Sequence, residues 1–156
     1  MSGKIVHIEW DGPFKIEQAK EKNGKDDYGV YQIYGNHPIY GYGVLLYIGK
    51  AVDQTFGERI KQEEEKGSKW LADKDCWPIE IYTGDVDESE TGMEWEVVTD
   101  LVEKLLIYSH QPACNSSSIG SISDKDLRDI HILNWELRRN LLPEVSGARW
   151  TTKYDE

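Results

Sequence analysis

Apolar and polar residues along the chain follow two recurring patterns, which place most of its secondary structure. Alternating or β-branched runs predict strands, and apolar positions at helical spacing predict helices. The predicted strands cover residues 4–10, 28–34, 44–48, 77–82 and 129–135. The predicted helices cover residues 15–22, 54–66 and 93–109, the second with Asp53 as a possible N-cap. This order predicts an α/β or α+β domain around a small sheet.

The connections carry their own signals. The DGPF stretch at residues 11–14 predicts a turn, and the acidic residues 85–91 predict a loop. Residues 35–43, GNHPIYGYG, are too long for a two-residue hairpin turn and predict a loop or flap. At 156 residues the chain is expected to form one domain.

The charge is strongly acidic and unevenly placed. The net charge is −11, which argues against a general nucleic-acid binder. Residues 64–100 carry twelve acidic and three basic groups, so nine of the eleven excess negative charges lie there. The rest of the chain is nearly neutral and can still accept an anion locally. The acidic segment is interpreted as a solvated face, a device against non-specific DNA binding, or a contact for a basic partner.

Composition also bears on compartment. Apolar residues make up 38% of the chain, with six Trp and nine Tyr, which is enough for a folded core. No apolar run reaches membrane-spanning length, and the first ten residues lack the apolar stretch of a signal peptide. Cys76 and Cys114 lie far apart without metal-ligand spacing, which favours reduced thiols. We therefore expect a cytoplasmic protein without a membrane association.

Two tyrosines on neighbouring strands are the first candidates for chemistry. Tyr31 and Tyr47 can face one pocket, although the alternative is that both are core aromatics with satisfied hydroxyls. A phenol with an ordinary pKa near 10 is a poor base, but a nearby cation favours the phenolate. Lys50, three residues after Tyr47, is one possible source of that charge.

The order of residues around these tyrosines resembles a known sequence pattern. Gly29-Val30-Tyr31 followed by Tyr47-Ile48-Gly49 resembles the paired motif that names the GIY-YIG endonucleases. The resemblance continues over about residues 28–116, leaving a strand and helix at 1–27 and a segment at 117–156 as extensions. It includes Lys50-Ala51, Arg59, the E-x-x-L-I helix signature from Glu103 to Ile107, Pro112 and Asn115.

The resemblance implies a small antiparallel three-stranded sheet flanked by helices, with terminal additions. It also implies a metal-dependent nuclease that cuts DNA by in-line attack of water, leaving a 5′-phosphate and a 3′-hydroxyl. Glu103 would hold Mg²⁺ or Mn²⁺, although most helix glutamates are simply solvated. Arg59 would clamp a phosphate, the alternative being a pair with Glu58 or Glu63. Tyr47 is favoured as the base, Tyr31 would position water or phosphate, and Asn115 would fix the adjoining loop.

This chain departs from the family at Glu63, where many members carry His or Tyr. A carboxylate there repels phosphate unless it binds metal or pairs with Lys50 or Arg59. His37 and His110 are then candidates for a third helper, with solvated histidines as the alternative. Asp100, one turn before Glu103, is either a second metal ligand or an ordinary helix acid.

Two further groups are candidates for contact with DNA. His37, Tyr40 and Tyr42 lie in the predicted flap, and aromatic rings stack on bases. Arg138 and Arg139 form a possible phosphate-positioning patch, the alternative being a mixed surface. Without a visible DNA-binding domain, recognition would come from insertions, a homodimer or a partner, as suits restriction or repair. The competing hypothesis is a catalytically weakened module that binds nucleic acid or protein.

Overall fold

Mixed strands and helices make up the chain, and the computed structural model describes residues 3–118 and 125–150 of it. Within those ranges the strands are β1 (Lys4–Phe14), β2 (Gly29–His37), β3 (Gly41–Ala51), β4 (Glu80–Asp87), β5 (Ile130–Glu136) and β6 (Glu144–Ser146). The helices are α1 (Ile16–Ala19), α2 (Phe56–Glu65), α3 (Lys69–Ala72), α4 (Trp95–His110) and α5 (Gly147–Trp150), with 3₁₀ turns at Lys74–Cys76 and Lys125–Asp129. The chain is therefore an α+β protein, as the sequence predicts.

The predicted three-stranded sheet is wrong in size. The described strands form one six-stranded sheet in the order β3-β2-β4-β1-β5-β6. The three expected strands are adjacent and antiparallel at one side of it, but β1 pairs with β4 on one edge and with β5 on the other. The N-terminal and C-terminal segments thus complete the sheet. Strand β1 lies inside it and buries Val6, Ile8 and Trp10.

Three predicted connections are also partly or wholly strand. Strand β1 continues through the expected turn at residues 11–14, where its register against β4 shifts between Asp11 and Phe14. The expected flap at residues 35–43 is mostly strand, since the β2–β3 pairing extends to His37 opposite Gly41. Only residues 38–40 form the turn. The acidic loop also begins later than predicted, because β4 runs to Asp87.

Helices cover the two faces of the sheet unequally. Helix α4 packs on one face through the apolar positions that predicted it, which are Val98, Leu101, Val102, Leu105 and Leu106. The short helices α1, α2 and α3 pack on the opposite face at the β2–β3 side. Thr55 rather than Asp53 caps α2, because its side chain accepts a hydrogen bond from the Glu58 amide. No helix in the described ranges is long and apolar enough to cross a membrane.

Strand β3 lies at the end of the sheet, yet its outer edge is covered. The Ala113 amide donates to the Leu45 carbonyl at 3.2 Å, and the Cys114 amide donates to the Leu46 carbonyl at 2.7 Å. This segment follows α4, whose C-cap residue, Gln111, has the left-handed conformation just before Pro112. The edge strand is thereby held between α4, α2 and the segment after α4, and the candidate residues gather around it.

Candidate active site

The two motif tyrosines lie on one face of the β2–β3 ladder. Tyr31 is opposite Gly49 and Ile33 is opposite Tyr47, so the tyrosines are diagonal neighbours. Their ring centroids are 6.1 Å apart. Tyr31 is fully buried, whereas Tyr47 is only partly buried. Tyr47 is therefore the member of the pair that solvent reaches.

Aromatic residues from α2 and α3 fix both rings. Phe56 meets the Tyr31 ring edge-on, with centroids 6.4 Å apart. Trp70 stacks on the Tyr47 ring, with centroids 5.9 Å apart and planes 24° from parallel. Sequence reasoning missed Trp70, which lies in the acidic segment with no motif around it. These contacts confine the two hydroxyls to one region beside α2.

Burial makes both phenols weaker acids than usual. Desolvation raises the pKa of Tyr31 and of Tyr47, and the positive charge of Arg59 opposes the shift at both. The Tyr31 hydroxyl is buried without a hydrogen bond of good geometry among the described residues, although Arg59 is close enough to act on it. In the protein by itself both tyrosines are accordingly protonated at neutral pH.

Arg59 is the cation beside the tyrosines, and it is itself paired. Its Nη2 lies 2.7 Å from Oε1 of Glu63, one helical turn further along α2. Its Nη1 donates to the Gln62 side chain at 2.8 Å. Glu63 is only 4% exposed, and Oε2 accepts a hydrogen bond from the Ser68 hydroxyl. Of the outcomes considered from sequence, Glu63 therefore adopts the pair with Arg59.

Glu103 reaches the same region from α4, on the other side of β3. Burial raises its pKa to about 6, while the positive charges of Lys50 and Arg59 oppose that shift. Its negative charge in turn acts on Tyr47. Among the described residues its carboxylate has no hydrogen bond or ion pair. Glu103 is thus a partly buried carboxylate that no residue in the described ranges pairs with directly.

Lys50 and Asp100 form a separate contact on the α4 face. The Lys50 ammonium donates to Oδ1 of Asp100, and the Lys104 ammonium lies 3.0 Å from Oδ2. Burial alone would raise the pKa of Asp100, but these two hydrogen bonds hold it below its usual range. Alternation along β3 places Lys50 on the face opposite Tyr47. Lys50 therefore lies close to Glu103 and is not the cation beside the tyrosines.

Asn115 joins the end of this segment to β3. Its Oδ1 accepts from the Ile48 amide and its Nδ2 donates to the Ile48 carbonyl, both at 3.0 Å. The amide side chain thus replaces a strand residue in the ladder between Tyr47 and Gly49. Asn115 is 9% exposed and holds the strand that carries Tyr47.

The expected flap residues are not brought to this site. The turn is six residues along β2 from Tyr31, or about 20 Å at the usual strand rise. Tyr40 and Tyr42 are 67% and 90% exposed at its tip. His37 stacks on Tyr40 and its Nδ1 accepts two backbone hydrogen bonds, from residues 39 and 40. His37 therefore shapes the turn and is not a third helper beside the tyrosines.

The remaining predicted residues serve contacts elsewhere. Arg139 lies over the Tyr34 ring at 4.1 Å and its Nη1 donates to Glu80 at 2.7 Å. Arg138 donates to the Leu141 carbonyl at 2.8 Å. His110 accepts from the Leu142 amide at 2.9 Å, so it fastens the C-terminal segment to α4. The arginines have internal partners and His110 lies outside the tyrosine cluster.

A large groove lies apart from the tyrosines, on the part of the sheet that helices leave uncovered. It has a volume of about 660 Å³ and is lined by His7, Trp135 and six carboxylates, those of Glu9, Asp85, Asp87, Glu88, Glu90 and Glu136. The His7 and Trp135 rings stack at 6.1 Å, and the indole donates to His7 at 3.0 Å. The six carboxylates make the groove unsuited to binding a phosphate.

Comparison with known proteins found no similar family, protein or structure. No protein-family model matches the chain, and no curated protein or solved structure is significantly similar to it. The resemblance to a nuclease family therefore rests on the motif residues alone.

Proposed function

We propose that this chain is a metal-dependent endonuclease that hydrolyses DNA phosphodiester bonds. In this proposal β2, β3, β4, α2 and α4 form a GIY-YIG core inside the larger sheet. The observation that carries it is the convergence of Tyr47, Arg59 and Glu103 around one edge strand. They come from three different elements; the charges of Arg59 and Glu103 both act on the Tyr47 hydroxyl, and the charge of Arg59 also acts on Glu103. A cation, an acid and a phenol at one place are what phosphoryl transfer to water uses.

Each side chain has a role that its surroundings favour. Tyr47 is the partly exposed phenol. Once a cation lowers its pKa and its proton is lost to solvent, the phenolate would accept the proton of the attacking water. Buried Tyr31 would hold the Tyr47 ring and the Arg59 side chain in place. Arg59 would bind a phosphate oxygen through its planar fork. Asn115 would maintain the strand between them.

Glu103 fits a single divalent cation of the Mg²⁺ or Mn²⁺ type. Its partly buried carboxylate has no partner among the described residues, and burial raises its pKa, so a cation there would relieve a cost. The described residues contain no group of three His, Cys, Asp or Glu that could hold a metal ion. One protein carboxylate suits Mg²⁺, which keeps most of its waters. Bound there, the ion would neutralise phosphoryl charge and acidify water.

The biological setting we propose is restriction or repair in the cytoplasm. The chain carries a net charge of −11, so a homodimer or a partner would supply part of the DNA contact. The exposed Tyr40 and Tyr42 at the hairpin tip remain proposed base-stacking groups, at a distance from the cleavage site.

Plasmid nicking tests this function. The wild type and Glu103→Gln are incubated with supercoiled DNA in Mg²⁺ or Mn²⁺, with Glu96→Gln as the matched control. Glu96 is an exposed acid in the first turn of the same helix. Nicking by the wild type and by Glu96→Gln, but not by Glu103→Gln, is expected. Absence of nicking on duplex, branched and single-stranded DNA would overturn the proposal.

A second candidate function, binding of a basic protein segment, is favoured by the acidic groove. Glu9 lies directly opposite Asp85 in the β1–β4 ladder, where like charges are destabilising. Burial and the Glu9 carboxylate raise the pKa of Asp85. Trp135 is 48% exposed beside them and offers a cation–π surface. Labelled octa-arginine should bind the wild type, and should bind more weakly to the double variant that combines Glu9→Gln with Trp135→Ala. Equal affinity for the two proteins would exclude this function.

A further inference from the structure

The pair formed by Arg59 and Glu63 has the features of an internal competitor for phosphate. We propose that Glu63 sets the affinity of the site for DNA by occupying the guanidinium of Arg59. This inference rests on the proposed nuclease function, in which Arg59 binds the phosphate. It assigns a role to the residue where this chain departs from the family pattern.

Glu63 is placed to act as a phosphate substitute. Its side chain is 5% exposed, although it carries a charge that most glutamates keep in water. One oxygen lies 2.7 Å from Arg59 Nη2, and the other accepts the Ser68 hydroxyl. Lys66 lies further away, at 3.7 Å, with a side chain that is 60% exposed. The arginine is therefore the principal counter-charge of a carboxylate that water barely reaches.

The pair is incomplete as a structural ion pair. Arg59 Nε and Glu63 Oε1 are both buried without a hydrogen-bond partner of good geometry among the described residues. A bidentate carboxylate would use two parallel N–H donors of the fork. The side chain of Arg59 as a whole is 23% exposed, and its Nη1 and Nη2 are engaged by Gln62 and Glu63. A DNA phosphate would therefore have to compete with Glu63 for the Arg59 donors, next to a negative charge.

The consequence is electrostatic. With Glu63 ionised, the Arg59–Glu63 pair has no net charge, and an approaching phosphate gains little attraction. Replacing the carboxylate with an amide leaves a positive charge at the same place, in a protein whose net charge is −11. Because each tenfold change in affinity corresponds to about 1.4 kcal/mol, a charge change at contact distance is expected to tighten binding by about tenfold.

The test measures binding without cleavage. A fluorescein-labelled duplex is titrated in EDTA with the wild type, Glu63→Gln, Arg59→Gln, the double variant and Glu65→Gln. Glu65 is an exposed acid on the same helix, so Glu65→Gln removes an equal charge without touching Arg59. We expect about tenfold tighter binding for Glu63→Gln and less than about twofold for Glu65→Gln. The gain should disappear when Arg59→Gln is also present.

Three outcomes would overturn the proposal. These are no gain in Glu63→Gln, an equal gain in Glu65→Gln, or a gain that survives the loss of Arg59. Melting curves check that each variant is folded, and Glu63→His, which fills similar space without the fixed charge, is judged by the same criteria. Cleavage in Mg²⁺ is scored separately. Tighter binding without any cleavage would overturn the nuclease function alone, and cleavage without tighter binding would overturn this inference alone.

Discussion

The ring of Tyr31 lies against Gly49, its partner across the β2–β3 ladder. A Cβ at position 49 would lie 2.4 Å from both Cζ and the hydroxyl oxygen of Tyr31, a separation that real side chains do not adopt. The glycine of one motif is therefore required by the tyrosine of the other. The two tripeptides therefore form one packing unit.

Gly49→Ala is expected to destabilise the protein by about 1–3 kcal/mol, because Tyr31 must move within a close-packed interior. Urea denaturation measures the change. Gly24→Ala is the matched control, since a Cβ there would meet only the Asp27 side chain, at 3.1 Å and beyond. Equal stability of the two variants would contradict the packing account.

Glu103 should destabilise the metal-free protein at neutral pH. Its pKa is raised from 4.5 to about 6 in the folded state. Its contribution to the free energy of unfolding is therefore most favourable below pH 4.5, and this contribution is lost as the pH rises through 6. At pH 7.5 the ionised carboxylate costs up to about 2 kcal/mol. In EDTA, Glu103→Gln should therefore unfold at higher urea than the wild type at pH 7.5, with little difference at pH 4.5.

The same two proteins report metal binding. Mn²⁺ or Mg²⁺ should raise the melting temperature of the wild type, because a ligand that binds only the folded state stabilises it. Glu103→Gln should lose that rise, and Glu96→Gln should keep it. If the stability of the wild type fell no more steeply with rising pH than the stability of Glu103→Gln, the burial assigned to Glu103 would be contradicted. An equal metal response in all three proteins would contradict the ligand assignment.

Asn115→Ala should loosen the edge strand without unfolding the protein. It removes both hydrogen bonds to Ile48 and leaves those backbone groups unpaired, at a cost of about 1–3 kcal/mol per group. Hydrogen exchange at the Ile48 amide should then accelerate, whereas Asn140→Ala, at an exposed position, should leave it unchanged. Unaltered protection of Ile48 in Asn115→Ala would show that the strand does not depend on this side chain.

Sequence patterns predicted the elements with local signals and missed those that depend on distant pairing. The 3.6-residue spacing from Val98 to Leu106 is a property of one segment, and α4 lies where it predicts. The extent of the sheet depends instead on β1 pairing with β4 and β5, which no local pattern records. The hairpin appeared to be a flap because Pro38 and the glycines around it are turn signals, yet cross-strand pairing continues up to them.

The site shows the same division. The resemblance to the GIY-YIG motifs made Tyr31, Tyr47, Arg59 and Glu103 candidates together. Which cation faces the tyrosines depends on strand alternation and on Asp100, which pairs with Lys50 on the other face. The i, i+4 spacing of Arg59 and Glu63 was a readable sign of their pair. The stacking of Trp70 on Tyr47 had no sign in the sequence.

The Tyr47 hydroxyl is the group on which the proposed chemistry depends most directly. Tyr47→Phe removes that oxygen and keeps the ring that stacks on Trp70, so the fold should be unaffected. Tyr28→Phe removes a hydroxyl from a partly exposed tyrosine outside the cluster and serves as the control. Loss of general-base assistance typically slows a reaction by about 10²–10⁴-fold.

The decisive measurement is the single-turnover rate of DNA cleavage in Mn²⁺ for the wild type, Tyr47→Phe and Tyr28→Phe. We expect a rate for Tyr47→Phe that is lower by about 10²-fold or more, with Tyr28→Phe close to the wild type. Cleavage by Tyr47→Phe at the wild-type rate would contradict this expectation.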